Sequence, residues 1–214
     1  MARILITSGP TRQYLDPVRY LTNASSGRMG ACLAEAAIEA GHEVVIVSGP
    51  VDVAYPDAAE VVPVVSTEEM LSAAAEVFAH CDGLIGAAAP CDYRPVKVAE
   101  GKIAKTGDPL QLHLVETDDV VATLGAAKGD KWVVGFALET EDHRLRALAK
   151  LERKHCDLMV SNGAEAMHSL ENDVEVLTPD GEVLGSFRGP KLDVARGVVQ
   201  VVQQRLIDRG EPQA

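Results

Sequence analysis

The sequence has no CxxC pair, no HxxxH, and no run near the roughly 20 apolar residues that a bilayer-spanning helix needs. Its four cysteines, Cys32, Cys81, Cys91 and Cys156, are dispersed, as are its six histidines. That scatter excludes the spacing of a zinc site or a disulfide framework and reads as reduced, mostly buried thiols. The start, MARILITSGP, lacks a basic segment followed by a long apolar stretch, so no secretory signal is visible and a cytoplasmic location is expected. Basic residues are also scarce: 20 Lys and Arg stand against 32 Asp and Glu in 214 residues, a formal net charge of -12. A phosphate backbone or an anionic membrane calls for a basic footprint, so neither nucleic acid nor membrane is an expected partner. An anionic ligand would have to be held by a local exception to the global charge.

Several signatures of nucleotide and nucleophile chemistry are missing too. There is no GxxxxGK[ST] phosphate loop and no GxSxG elbow. A dinucleotide site needs a tight glycine turn after the first strand and a carboxylate closing the second. Here more than twenty residues separate the first strand from the first helix, and the second strand ends in Ser48-Gly49-Pro50.

What is present is an alternation of short apolar runs with helical patterns, which predicts a mostly parallel sheet with helices on both faces. Strands are predicted at 3–7, 43–47, 60–65, 83–88, 110–115, 132–138 and 157–161. Helices are predicted at 29–40, from Ser66 or Thr67 onward, at 118–127, 141–155 and 191–209, before a frayed GEPQA tail. Pro179-Asp180-Gly181 between two apolar runs predicts a C-terminal β-hairpin at about 174–187. From 90 to 109 periodicity disappears into a segment with three prolines and three lysines, read as a functional lid. No linker divides the chain, so 1–214 is read as one domain.

Four constellations could carry chemistry. Asn23-Ala24-Ser25-Ser26-Gly27-Arg28-Met29-Gly30 enters a helix, where free N–H groups and the positive dipole end favour an anion. Ala87-Ala88-Ala89-Pro90-Cys91-Asp92 follows a buried strand, at the place where open α/β sheets bind ligands. Lys102 and Lys105 lie in the lid and could close over a phosphate. Arg146, Lys150 and Lys154 recur at every fourth residue of HRLRALAKLERKH, with Leu145, Leu148 and Leu151 read as the core side. Each has a plainer structural reading as a helix cap, a solvated loop or a dipole-compensating charge.

Taken in order, ILITSGPTR, DPVRYLTNASSGRMG, GHEVVIVSGP, AAPCDYRP, KIAK, VGFALETE and KLERKHCDLMVSN resemble the phosphopantothenoylcysteine synthetase family over nearly the whole chain. The resemblance implies a single Rossmann-like domain that joins 4'-phosphopantothenate to L-cysteine. The carboxylate first attacks the α-phosphorus of CTP, and the cysteine amine then displaces CMP from the acyl-cytidylate. It implies Mg2+ with CTP, no flavin in this chain, a homodimer whose lid serves both subunits, and a separate or fused flavin-dependent decarboxylase. It assigns Asn23 to the intermediate and Lys102 to catalysis and nucleotide binding. It gives Gly86, Ala87, Ala88, Asp92, Asp118, Asp119, Val120, Val121, Phe136, Lys150 and Lys154 to CTP, and Ser25, Ser26 and Gly27 to substrate phosphate, with Asp118 as a metal ligand. The chain departs from the family where KIAK replaces KxKK, AAPCDYRP replaces AAVADYRP, and Glu116-Thr117-Asp118-Asp119 adds negative charge. Those departures leave a non-catalytic nucleotide-binding module as the alternative. Eukaryotic relatives use ATP, but the lid pattern looks bacterial, so CTP is expected.

Overall fold

The computed structural model describes residues 1–139, 143–163 and 171–208. Twelve strands are assigned among them: β1 (Arg3–Ser8), β2 (Arg12–Tyr14), β3 (Tyr20–Thr22), β4 (Glu43–Ser48), β5 (Glu60–Pro63), β6 (Gly83–Gly86), β7 (Tyr93–Pro95), β8 (Leu114–Glu116), β9 (Trp132–Glu139), β10 (Leu158–Gly163), β11 (Glu171–Leu177) and β12 (Val183–Pro190). The helices are α1 (Arg28–Glu39), α2 (Thr67–Phe78), α3 (Val120–Ala126), α4 (His143–Arg153) and α5 (Lys191–Val202).

Eight strands form one sheet in the order β12-β11-β10-β9-β6-β1-β4-β5. The six from β5 to β10 run parallel, and the β11–β12 hairpin adds two antiparallel strands at one edge. Strand alternation divides the core between two faces. Ile4 and Ile6 pack on the side of Leu33 and Ala37 from α1 and Val194 and Val198 from α5. Leu5, between them, packs with Met70 and Phe78 of α2, Leu124 of α3 and Leu151 of α4. Burying each large side chain stabilises the fold by about 1.5–3 kcal/mol.

From β1 the chain winds outward through β4 and β5, then returns to the other side of β1 as β6 and continues to β9 and β10. This reversal between β1 and β6 is a topological switch point, which opens a crevice at the carboxyl ends of the strands. The local sequence explains the helix start nearby. Gly27, the residue before α1, has φ 74°, a left-handed conformation that glycine adopts without a Cβ penalty. α2 instead starts on a capping box between Ser66 and Glu69.

The structure corrects several expectations. The segment read as an irregular lid at 90–109 has a short ribbon at its base, because β7 pairs antiparallel with β8. The strand expected at 110–115 is β8, outside the main sheet, with its three residues exposed and no core face to cover. A β2–β3 hairpin within the excursion after β1 was not foreseen, since three-residue strands leave too little alternation to detect. Leu145 is 72% exposed, because Ala147, Leu148 and Leu151 already define the core face of α4. The last helix ends at Val202 and continues as a π-helical turn at Gln203–Ile207. The GEPQA tail, Arg209 and Glu141 lie outside the described residues.

Candidate functional site

Two clefts open at the switch point and meet at Ala88 and Phe136. The first, of about 510 Å3, is lined by Gly86, Ala88, Asp92, Asp118, Asp119, Val120, Val121, Phe136 and Lys154, all expected from the sequence. Gly86 allows α3 to approach the sheet, because a Cβ there would lie 2.5 Å from Val121 Cγ2. The second, of about 680 Å3, is lined by Asn23, Ser25, Ser26, Gly27, Ala87, Ala88 and Phe136. Residues separated by about a hundred positions therefore share one crevice.

The turn that carries Asp92 is fixed from below by hydroxyl groups. The Cys91 amide donates to Thr11 Oγ1 at 2.7 Å, while Thr67 and Thr117 donate to the Cys91 carbonyl at 3.1 and 2.7 Å. Thr11 and Thr67 are themselves hydrogen-bonded at 2.8 Å, and both are buried. The Asn23 amide donates to the Pro90 carbonyl at 2.9 Å, tying the loop before α1 to this turn. Pro90-Cys91, a departure from the family pattern, is thus held by backbone contacts and buried hydroxyls. Asp92 is left exposed on the cleft wall.

On the opposite wall Asp119 performs two tasks. Its Oδ1 caps α3 by accepting from the Ala122 amide at 3.1 Å, and its carboxylate pairs with Lys154 Nζ at 3.0 Å and Arg153 at 3.7 Å. Burial raises the Asp119 pKa, but the Lys154 charge, the amide bond from Ala122 and the Arg153 charge outweigh it and hold the carboxyl below its ordinary value. Lys154 is only 19% exposed at its side chain, so Asp119 aims a largely desolvated cation at the cleft.

In the second cleft the sequence reading gave no separate role to Arg28 and missed Asn162, Asn172 and Lys191. Arg28 lies inside the segment singled out before α1 and was within reach of that motif. Lys191 was not, because β12 and α5 bring it to the crevice with no local pattern to mark it. Burial, reinforced by Arg28, pulls the Lys191 pKa down against the opposing influence of Cys32. Asn172 is buried, and its Oδ1 has no hydrogen-bond partner among the described residues. In the first cleft Tyr93, within AAPCDYRP, and Arg153, within KLERKHCDLMVSN, had been given no role of their own.

Two expected residues lie elsewhere. Lys150 is partly buried on α4 and lines neither cleft. Lys102 is exposed on the lid and also lines neither. Among the described residues no three His, Cys, Asp or Glu side chains are grouped to hold a metal ion, and no helix is long and apolar enough to cross a membrane.

Comparison with known proteins identifies relatives of the whole chain. The chain is 41% identical over 186 residues to the coenzyme A biosynthesis bifunctional protein CoaBC of Vibrio vulnificus (strain YJ016), covering 84% of this chain and 46% of that protein. It is 37% identical over 213 residues to CoaBC of Bacillus subtilis (strain 168), covering 97% of this chain and 52% of the relative. The chain therefore spans about half the length of the curated relatives it matches. The crystal structure of the C-terminal domain of CoaBC superposes with a TM-score of 0.81 at 36% identity, covering 96% of both chains. Residues 1–206 match the DNA/pantothenate metabolism flavoprotein C-terminal domain, and the chain belongs to that family.

Proposed function

We propose that this chain is a phosphopantothenate–cysteine ligase of coenzyme A biosynthesis, acting as a single domain in the cytoplasm. The observation that carries the reading is the junction of two clefts of different chemistry at Ala88 and Phe136. One cleft suits a nucleotide, with small residues at Gly86 and Ala88, an aromatic face at Phe136 and cationic Lys154. The other suits a phosphorylated acid, with Ser25, Ser26 and Arg28 at the N-terminus of α1 and Lys191 at the start of α5. A carboxylate held in the second and a triphosphate held in the first would meet at the junction. A Cab2 variant of similar fold was solved with phosphopantothenate-cysteine.

In the first step the substrate carboxylate attacks the CTP α-phosphorus, forming a C–O–P bond and releasing pyrophosphate. In the second the cysteine amine attacks the acyl carbon, the amide forms, CMP leaves and the amine proton passes to solvent. No protein nucleophile is needed, so the chain's contribution is positioning and charge stabilisation. Gly86–Ala88 and the Asp118–Val121 turn hold the nucleotide, and Lys154 faces its phosphates. Asn23 Nδ2 donates to the Pro90 carbonyl at 2.9 Å and to the Ala89 carbonyl at 3.4 Å, and turning the longer contact toward substrate would supply a donor for the developing oxyanion. Asp92 and Asp118 are hard oxygen donors suited to Mg2+ that arrives on CTP and keeps most of its waters. When bound, that ion offsets triphosphate charge. We assign no flavin to this chain and expect the flavin-dependent decarboxylase as a fused or separate partner.

Lys102 lines neither cleft of its own chain, and the hairpin and lid region expose Tyr14, Val18, Tyr20, Val96 and Val98. We assign that apolar face to a second copy of the chain, in a homodimer whose lid lysines serve the partner's nucleotide. The deciding experiment mixes the protein with CTP, Mg2+, 4'-phosphopantothenate and cysteine. Formation of CMP, pyrophosphate and the amide is expected, with ATP a poor substitute. CTP binding without any product would instead establish a non-catalytic nucleotide module.

A further inference from the structure

The lid is fastened at its middle by a residue that the assigned chemistry leaves unused. Asp16, in the turn between β2 and β3, is fully buried. Its Oδ1 accepts from the amides of Val18 at 2.8 Å and Arg19 at 2.9 Å, which closes the hairpin turn. Its Oδ2 accepts from the Ile103 amide at 3.1 Å, 87 residues away. Arg19 completes the clasp, lying 3.6 Å from the same carboxylate and donating to the Ile103 carbonyl at 2.6 Å. A second strap sits four residues earlier, where the Ala99 amide donates to the Leu15 carbonyl at 2.9 Å.

The residue held on both its N–H and its carbonyl is the one between Lys102 and Ala104. The lid is thus not a loop free along its whole length. Its lysine-bearing part is attached to the hairpin that exposes Tyr14, Val18 and Tyr20. We propose that Asp16 is a positioning residue for Lys102. By holding Ile103, it joins the lid lysine and the apolar hairpin face into one unit, so that docking of a second copy sets where Lys102 arrives. The inference rests on the catalytic reading of Lys102 given above.

Asp16→Asn separates the two tasks of the carboxylate. An asparagine oxygen still accepts from Val18 and Arg19, but its NH2 group opposes the Ile103 N–H, donor against donor. The hairpin turn is therefore kept while the lid strap is lost. With the full chain, the variant is expected to remain dimeric, to keep KM for CTP within about twofold, and to lose about tenfold in kcat, the size of a lost charge-stabilising contact. The double variant with Lys102→Ala should be no slower than Lys102→Ala alone, since a misplaced lysine and an absent one are equivalent. Additive losses, or an unimpaired Lys102→Ala enzyme, would overturn the assignment. Amide hydrogen exchange of the unaltered protein tests the strap without any variant. Ala99 and Ile103 should be protected while Ala104 to Gly107 exchange rapidly, and an unprotected Ile103 refutes the proposal. Loss of product formation in the unaltered protein would defeat the ligase reading and leave that exchange pattern untouched.

Discussion

Replacing Asp119 separates its two structural contributions. Asp119→Ala removes both the cap on α3 and the pair with Lys154, whereas Asp119→Asn keeps a capping oxygen and loses only the charge. Loss of a side-chain N-cap costs about 1 kcal/mol. The ion pair is partly screened, with side chains 36% and 19% exposed, so its loss costs about 1 kcal/mol rather than the several that a dry pair would show. The alanine variant should therefore lose about 2 kcal/mol and the asparagine variant about half of that, which for a chain of this size is about 4–8 and 2–4 °C in Tm. Because the folded-state pKa of Asp119 is depressed, the folded protein binds fewer protons than the unfolded chain. Its contribution is complete above the ordinary value of 3.8 and is lost as pH falls through the lower folded value. Urea unfolding from pH 7 to pH 3 should show the gap between wild type and Asp119→Asn closing at the acid end, with unchanged m-values. Equal stabilities of the two variants would refute the capping argument. A gap that stays constant to pH 3 would refute the electrostatic one.

Two other substitutions probe the clefts separately. Lys191→Ala should raise KM for 4'-phosphopantothenate about 10- to 100-fold, the worth of a charge-assisted hydrogen bond of about 1.5–3 kcal/mol, and leave KM for CTP unchanged in steady-state assays. Thr11→Val strips the buried Cys91 amide of its acceptor and breaks the bond to Thr67, so it should destabilise by about 1–3 kcal/mol in denaturant titrations. It should also weaken CTP binding by calorimetry, since Asp92 adjoins the released turn.

The parts that could be read from the chain are those whose signal is local. The β1, β4 and β6 runs are nearly continuous apolar segments because both faces of the sheet are covered, and Ser66 with Glu69 announces the start of α2. Asp92 and Asp119 share a cleft because their motifs follow β6 on the ligand side of the sheet, and Lys154, just after α4, joins them through its side chain, which pairs with Asp119. What escaped depends on pairing across long separations. The β2–β3 hairpin is ordered by Asp16 and by Arg12 stacked on Tyr20, neither of which leaves a periodic trace. Leu145 was misjudged because any leucine at helical spacing looks like core until the sheet shows which face it covers. Lys191 and Asn172 join the crevice only through the β11–β12 edge, so no window around the motif could contain them.

That long-range assembly also resolves the charge problem. The first cleft carries Arg153 and Lys154 against Asp92, Glu116, Asp118 and Asp119, and so is acidic on balance. The second carries Arg28 and Lys191 with no carboxylate among its described lining residues. A protein of charge -12 thus places Arg28 and Lys191 where a phosphate monoester would sit, and keeps the wall acidic where a triphosphate would sit. The asymmetry follows from what each ligand brings. A triphosphate would arrive with a divalent cation, and the carboxylates of Asp92 and Asp118 on an acidic wall would suit that ion. A phosphate monoester brings no such companion and depends on protein charge alone. The Glu116-Thr117-Asp118-Asp119 departure therefore belongs to the cleft that can absorb it. Transferred to the second cleft, the same charges would oppose Arg28 and Lys191.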